Sequence, residues 1–458
     1  MIERLVLFGA TGDLAGRFLL PALAALHATG RLPDAFQVVG AAREQLDDAA
    51  FRESAVERLA EHASGVPASS RGAVARMLRY RAVDLDDART VAPVFEPSGP
   101  PAAAYLALPP AVFPVAVSTL AEVGLRAGSR IALEKPFGDD LESAVELNRL
   151  LARAAGPEWE QEVFRVDHVL GMATVQNLLA MRLGNPLLES IWNGRHVDRV
   201  EILWEETLAL EGRAGYYDTA GALKDVLQNH MLQVLSLIAM ELPSAPGEQD
   251  LRDRKVEALR AIRPLGRAEV VSQTRRARYT AGRLARPPEG SGNTVPAYAD
   301  EEGVDPQRKT ETFAEVVLQL GGQRWDGVPF VLRAGKALSR RRKMVVLRFA
   351  ADTAAQPGSE LRIGLDGPED IALQLIGGAP ESPVPLVLTA PPPASDLPAY
   401  GRVLLDILSG GSSLSVRGDE AEHAWRVVAP VLEAWRDDVV PLEEYPAGSA
   451  GPQRPAGA

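Results

Sequence analysis

RLVLFGATGDLA, residues 4–15, is where the fold of this chain is first legible. Arg4–Phe8 is an apolar run of strand length stopped by Gly9, and Leu14–Leu26 then repeats apolar residues at helical spacing. A strand that ends in a glycine turn before a helix aims backbone N–H groups and a helix N-terminus at one point, the arrangement that receives a pyrophosphate. Gly9 is read as the tight turn and Gly12 as the point of close backbone approach, with Ala10, Thr11, Asp13 and Leu14 completing the loop. The spacing is G-x-x-G and not the full G-x-G-x-x-G, so a purely structural βα turn stays open beside the dinucleotide reading.

The same rhythm continues outward. Phe36–Gly40, Ala103–Leu108, Ser129–Leu133 and Glu162–Val166 carry strand patterns, and Asp47–Ala60, Val112–Ala127 and Asp140–Ala154 carry helical ones. Short buried strands alternating with helices predict a parallel sheet covered on both faces, an α/β Rossmann-like coenzyme domain over 1–168. After about residue 170 the pattern changes. A helix at Met172–Arg182, a strand at Val197–Trp204 and a long apolar helix at Leu223–Met240 precede strands at Thr312–Leu320, Val328–Leu332 and Lys343–Phe349. Without regular crossover helices, these predict an α+β domain with a large antiparallel sheet over 169–446. The closing AGSAGPQRPAGA predicts a disordered tail, 447–458.

Composition sets limits. With 458 residues, 46% apolar and 24% charged, the chain has the make-up of a soluble protein of more than one core. A net charge of −12, from 49 basic and 61 acidic residues, argues against nucleic acid as a partner. Cysteine is absent, which removes disulfides and thiolate chemistry. No run approaches the ~18 apolar residues of a membrane-spanning helix. The opening MIERLVLFGA lacks the basic start and small-residue cleavage site of a signal peptide. The expectation is a cytoplasmic protein with no membrane partner.

Five further clusters carry chemistry. Arg43 and Glu44 follow the second strand, where an acid favours the free ribose hydroxyls of NAD and an arginine tolerates the 2′-phosphate of NADP. Lys135, in Glu134-Lys135-Pro136-Phe137-Gly138, stands at the carboxyl end of a predicted parallel strand, the ligand-binding end of such sheets. Two of the six histidines lie beside acids, in Arg165-Val166-Asp167-His168 and in Lys224-Asp225 with Gln228-Asn229-His230. Imidazole is a suitable base at neutral pH for the hydroxyl proton lost as hydride leaves a carbinol carbon, and a carboxylate would fix its tautomer. Spacing leaves open which Asp serves which His, and two core histidines remain an alternative. No His pair has i,i+4 ligand spacing, so the sequence supports a metal site only weakly and none is assigned. Last, Arg333-Ala334-Gly335-Lys336 with Arg340, Arg341, Arg342 and Lys343 concentrates cations in an acidic chain, which suits capture of an anion or a solvated strand end.

Taken in order, GATGDLA, YLALPP, EKPFGDDLESAVELN, RVDHVLG, VQNLLAMRLGNPLLESIWN, EGRAGYYDTAGALKDVLQNHMLQ and VPFVLRAGKAL resemble the glucose-6-phosphate dehydrogenase family, from about residue 4 to about 436. The resemblance implies oxidation of C1 of a hexose or hexose phosphate to the lactone, with hydride passing to NADP or NAD. It implies His230 as general base and Asp167 as the carboxylate paired with it. It implies His168 as a ligand of the substrate phosphate, Lys135 between nicotinamide and sugar, Glu206 and Asp225 on sugar hydroxyls, Lys336 reaching the sugar, and Arg341 near it. A homodimer or homotetramer formed through the large sheet is also implied. Two departures stand out. The family typically reads D-H-Y-L-G-K where this chain has Asp167-His168-Val169-Leu170-Gly171-Met172, so a hydroxyl donor and an ammonium are missing. Gly16 and Arg17 follow GDLA where a lysine commonly begins the basic pair. The expectation is weaker discrimination in favour of the phosphate ester, with dual coenzyme use or a preference for NAD.

Overall fold

The computed structural model describes residues 1–95, 99–210, 212, 214–244, 247–284, 294–351, 358–366, 370–379, 382–391 and 395–453. They form two compact units, one of Met1–Ala173, Pro243–Asp253 and Ala394–Glu422, the other of Thr174–Leu242, Arg254–Pro393 and His423–Ala458.

The first unit is built on a seven-stranded sheet. From one edge the order is Ser415–Val416, Val163–Val166, Arg130–Glu134, Ala103–Leu106, Arg4–Phe8, Gln37–Ala42 and Leu78–Ala82. All neighbours are parallel except Ser415–Val416, which runs antiparallel to Val163–Val166. Every residue of Arg4–Phe8 is buried, as a strand covered on both faces requires. The strand Leu78–Ala82 went unread in the sequence because its alternating Leu-Arg-Tyr-Arg is the half-buried pattern of an edge. This unit extends beyond the contiguous stretch expected to end at 168. The helix Ala399–Ser409 places Leu404, Ile407 and Leu408 in the same core as Leu5 and Leu7, and Ile2 N donates to Leu408 O at 2.7 Å. Burial of that apolar face, together with the added edge strand, draws the distant segment in.

The second unit holds a nine-stranded sheet: Ser382–Ala390, Ile371–Ala379, Glu360–Gly364, Arg342–Phe349, Val197–Glu205, Pro329–Gly335, Phe313–Gln319, Thr274–Thr280 and Leu442–Pro446. The sheet is mainly antiparallel, but Pro329–Gly335 runs parallel to Val197–Glu205 and Leu442–Pro446 parallel to Thr274–Thr280. It is therefore mixed, which the run of crossover-free strands did not disclose. Residues 447–453 correct the expectation of a disordered tail. Gly448 N donates to Ala337 O and Ser339 N to Ser449 O, both at 2.7 Å, so this stretch is bonded to the loop after Gly335. Residues 454–458 of that expectation lie outside the described residues. The predicted helix Leu223–Met240 is present in two parts, a π-helical segment Leu223–Met231 and an α-helix Leu232–Ala239. The Asn229 side chain adds a bond within the wider turn, its Nδ2 donating to Lys224 O at 2.8 Å. π turns concentrate at functional sites, and this one carries Asp225 and His230. No helix among the described residues is long and apolar enough to cross a membrane.

Candidate active site

In the first unit the strand order reverses at Arg4–Phe8, whose neighbours are Ala103–Leu106 on one side and Gln37–Ala42 on the other. The carboxyl ends of strands at such a switch point form the ligand crevice of an open parallel sheet. The glycine turn stands there. Gly9 has φ +74°, and a Cβ on it would lie 2.2 Å from Ala107 O, so both backbone and space demand glycine. Gly12 N donates to Gly9 O at 2.9 Å, closing the turn. Thr11 Oγ1 donates to Glu44 Oε2 at 3.1 Å, which ties this turn to the end of the second strand, and Tyr80 OH donates to the Glu44 carbonyl at 2.7 Å. Glu44 is thus tied to the turn, and both it and Arg43 are exposed. Asp13 lies between Arg17, at 3.2 Å, and Arg58, at 3.9 Å. A Cβ on Gly16 would meet Arg58 Cδ at 3.1 Å. Gly16 therefore does not leave the turn short of cations, because the Arg58 side chain lies over it. Arg58, in a neighbouring helix, had no local signal.

Lys135 follows the strand Arg130–Glu134 directly, and its peptide bond to Pro136 is cis. Glu134 is buried, accepts from Tyr105 OH at 2.5 Å, and has Tyr400 OH 3.5 Å from its other oxygen. Burial pushes this carboxyl up to about 7; the Asp167 charge adds to the rise, and the Tyr105 hydrogen bond and Lys135 oppose it. Asp167 is fully buried and its Oδ1 accepts from Val169 N at 3.2 Å. The half-buried His168 ring stacks on Tyr400 with centroids 5.4 Å apart. Tyr400 was not among the expected site residues, since it lies more than two hundred positions away in a helix with an ordinary apolar pattern. Val169 is fully buried, and of the segment Asp167–Met172 only His168 and Met172 are half-exposed, so Val169 offers no surface to a ligand. Gly171 accounts for this, because a Cβ there would sit 2.5 Å from Ala399 O and the segment packs tightly on that helix.

The second unit brings a different set together. Glu206, just past the strand Val197–Glu205, receives Lys336 Nζ at 2.6 Å and Lys343 Nζ at 3.0 Å. The backbone fixes it too, since Glu206 N donates to Gly335 O at 2.8 Å and Leu338 N to Glu206 O at 2.9 Å. Burial alone would raise this carboxyl, but the two ammonium groups overcome that and hold it near 2. It is an obligate acceptor at any working pH. Lys343 Nζ lies 4.5 Å from the Trp204 ring centroid, and that ring stacks on His230 at 5.4 Å. Lys336 Nζ lies 5.2 Å over Tyr217, whose hydroxyl is raised well above its usual range by burial and by the charges of Asp225 and Glu311. His230 is buried and Asp225 half-buried.

Strand alternation sorts the basic run. Arg342 pairs with Glu205 at 2.6 Å and Arg333 bonds Glu315 at 2.6 Å, a network separate from Glu206. Arg341 pairs with Asp366 at 2.5 Å, and Lys343 reaches the same carboxylate at 3.5 Å. Of the run, Lys343 is the cation that joins Lys336 on Glu206, a role that sequence order did not single out. Thus Glu134, Asp167 and His168 gather in one unit, and Glu206, Lys336 and His230 in the other.

The family described as "Glucose-6-phosphate dehydrogenase, NAD binding domain" matches residues 6–177, and "Glucose-6-phosphate dehydrogenase, C-terminal domain" matches residues 179–456. The glucose-6-phosphate 1-dehydrogenase of Treponema pallidum is 37% identical, covering 98% of this chain and 92% of its own length. That of Mycolicibacterium smegmatis is 38% identical, covering 98% and 94%. A solved glucose-6-phosphate dehydrogenase "in complex with its substrate glucose-6-phosphate" superposes with a TM-score of 0.87 at 31% identity, over 100% of this chain and 96% of that one. The Mycobacterium avium glucose-6-phosphate 1-dehydrogenase gives 0.83 at 31% identity, over 99% and 96%. The chain belongs to the glucose-6-phosphate dehydrogenase family.

Proposed function

We propose that this chain is an NAD(P)-dependent sugar 1-dehydrogenase that oxidises C1 of glucose 6-phosphate, or of a closely related hexose, to the lactone. The observation that carries the reading is the match along the whole chain to a dehydrogenase solved with glucose 6-phosphate. The glycine turn at the switch point, with Thr11 bonded to Glu44, fits a dinucleotide. When bound, the nicotinamide supplies the hydride acceptor. His230 takes the proton of the C1 hydroxyl as the hydrogen on C1 leaves with its bonding pair as hydride, and the O–H pair becomes the second C1–O bond, so that C1 of the already closed ring becomes the lactone carbonyl. Asp167 stabilises the imidazolium that results. Glu206, ionised throughout the physiological range, accepts hydrogen bonds from sugar hydroxyls, and Asp225 does the same. Lys336 holds Glu206 in place and contributes to the sugar site, with Arg341 near it. Lys135 stands between sugar and coenzyme, and His168 takes the phosphate.

The reading carries with it a cytoplasmic location and assembly as a homodimer or homotetramer. The edge strand Ser382–Ala390 supports the latter, since it is exposed throughout and presents Val384, Leu386 and Leu388. Light scattering on the purified chain checks it. The activity is tested by initial rates with glucose 6-phosphate, glucose and galactose, each with NAD and NADP. Coenzyme reduction on the phosphate ester is expected, with a smaller advantage over free glucose than an intact D-H-Y-L-G-K segment would give. No reduction on any of the three sugars overturns the proposal.

A further inference from the structure

The second unit contains a cavity of about 510 Å³ apart from the Glu206 cluster, bordered by Lys224, Arg276, Arg308, Lys309, Arg436 and Glu311. Five cations around one carboxyl is a strong bias in a chain of net charge −12. Part of that charge is already answered. Arg276 bonds Asp438 at 2.6 Å, Lys309 pairs with the same carboxylate, and Arg308 pairs with the buried Asp218 at 3.1 Å. Lys224 and Arg436 form no ion pair with any described residue. Lys224 is half-buried, with its ammonium 5.9 Å from the Trp425 ring, and Arg436 ends its helix exposed to solvent. The one carboxyl, Glu311, attracts Lys224 electrostatically but forms no ion pair with it. Glu311 Oε1 accepts Leu223 N–H at 2.9 Å, and burial raises the group to about 7. Trp435 and Leu432 add an apolar wall. The volume lies within the range of small-molecule sites, and cations lacking acidic partners around a concave surface focus anions.

We propose that this cavity binds a phosphorylated small molecule, its phosphate taken by Lys224 and Arg436 and its body lying along Trp435. The site goes beyond the dehydrogenase reading and does not depend on it. Its occupant would sit one residue from Asp225, on the segment Leu223–Met231 that also carries His230.

The test is calorimetric titration of the full chain with pyrophosphate, repeated on Arg436→Glu and on Lys224→Gln. Loss of one charge-assisted contact weakens binding about tenfold or more. The expected result is pyrophosphate binding to the wild type that Arg436→Glu weakens at least tenfold, with thermal unfolding and turnover of that variant unchanged. Lys224→Gln should weaken it similarly. Parallel titrations with ATP and ribose 5-phosphate distinguish a nucleotide from a sugar phosphate as the occupant. Pyrophosphate isotherms that are the same for the wild type and both variants, or no binding to the wild type at all, overturn the proposal.

Discussion

Replacing Glu134 with glutamine should stabilise the protein in a way that depends on pH. This carboxyl is 8% exposed and moves from 4.5 to about 7 on folding, chiefly through burial, with the Asp167 charge in the same direction. A carboxyl raised in the folded state binds its proton more tightly there than in the unfolded chain. Its cost is therefore absent below about pH 4.5 and grows as pH rises through about 7. At 1.36 kcal/mol per pKa unit, the wild type gives up roughly 3 kcal/mol by pH 8 and under about 1 kcal/mol at pH 5. Glutamine keeps an acceptor for Tyr105 and cannot ionise, so it escapes that cost. Urea unfolding of both proteins at pH 5 and pH 8 measures the difference. Hydrogen exchange of peptides spanning Arg130–Glu134 shows whether it arises locally. The reasoning requires the gap between variant and wild type to widen by about 2 kcal/mol or more from pH 5 to pH 8. An equal gap at the two pH values would refute it.

Other outcomes follow from residues of each unit. His230→Asn should lower kcat by about 10²–10⁴, the usual worth of a general base, with KM for the coenzyme little changed in steady-state assays. Met172→Lys should raise kcat/KM for glucose 6-phosphate relative to glucose by about tenfold or more, because residue 172 is half-exposed and an ammonium need not be buried. Val169→Tyr, by contrast, enters a filled site and should cost about 1–3 kcal/mol of stability by denaturant unfolding. Glu44→Gln should raise the ratio of kcat/KM for NADP over NAD, since it removes a carboxylate tied to the glycine turn by Thr11; an unchanged ratio would refute that account of the ribose site.

What the sequence made legible was local. Arg4–Phe8 ends where the apolar run meets Gly9, and the structure gives the strand the same bounds. The glycine turn and Lys135 fall where a strand's carboxyl end must put them. Features made by packing across long intervals carried no such mark. Tyr400 meets His168 only because Leu404, Ile407 and Leu408 bury a helix against the first core, and an apolar helix of that kind has many possible partners. Val169 reads as a lost hydroxyl when aligned by motif, yet the close approach of Gly171 to Ala399 turns its side chain inward and leaves the surface to His168 and Met172.

The basic run after Gly335 lies between these cases. In a strand, neighbours point to opposite faces, so Arg342 and Lys343 had to part company once Arg342–Phe349 was recognised as a strand. Alternation alone cannot tell which of the two faces Glu206. That is decided by register, in which Trp204 stands opposite Lys343 and Glu205 opposite Arg342. Register here depends on an antiparallel partner more than a hundred residues earlier, and no local pattern encodes it. The consequence is chemical: a slip of one residue would exchange an ammonium for a guanidinium on Glu206 and send Lys343 to the Glu205 network. The two lysines that hold Glu206 ionised are thus a product of sheet pairing, and the hydroxyl acceptor of the proposed sugar site is set by the same pairing.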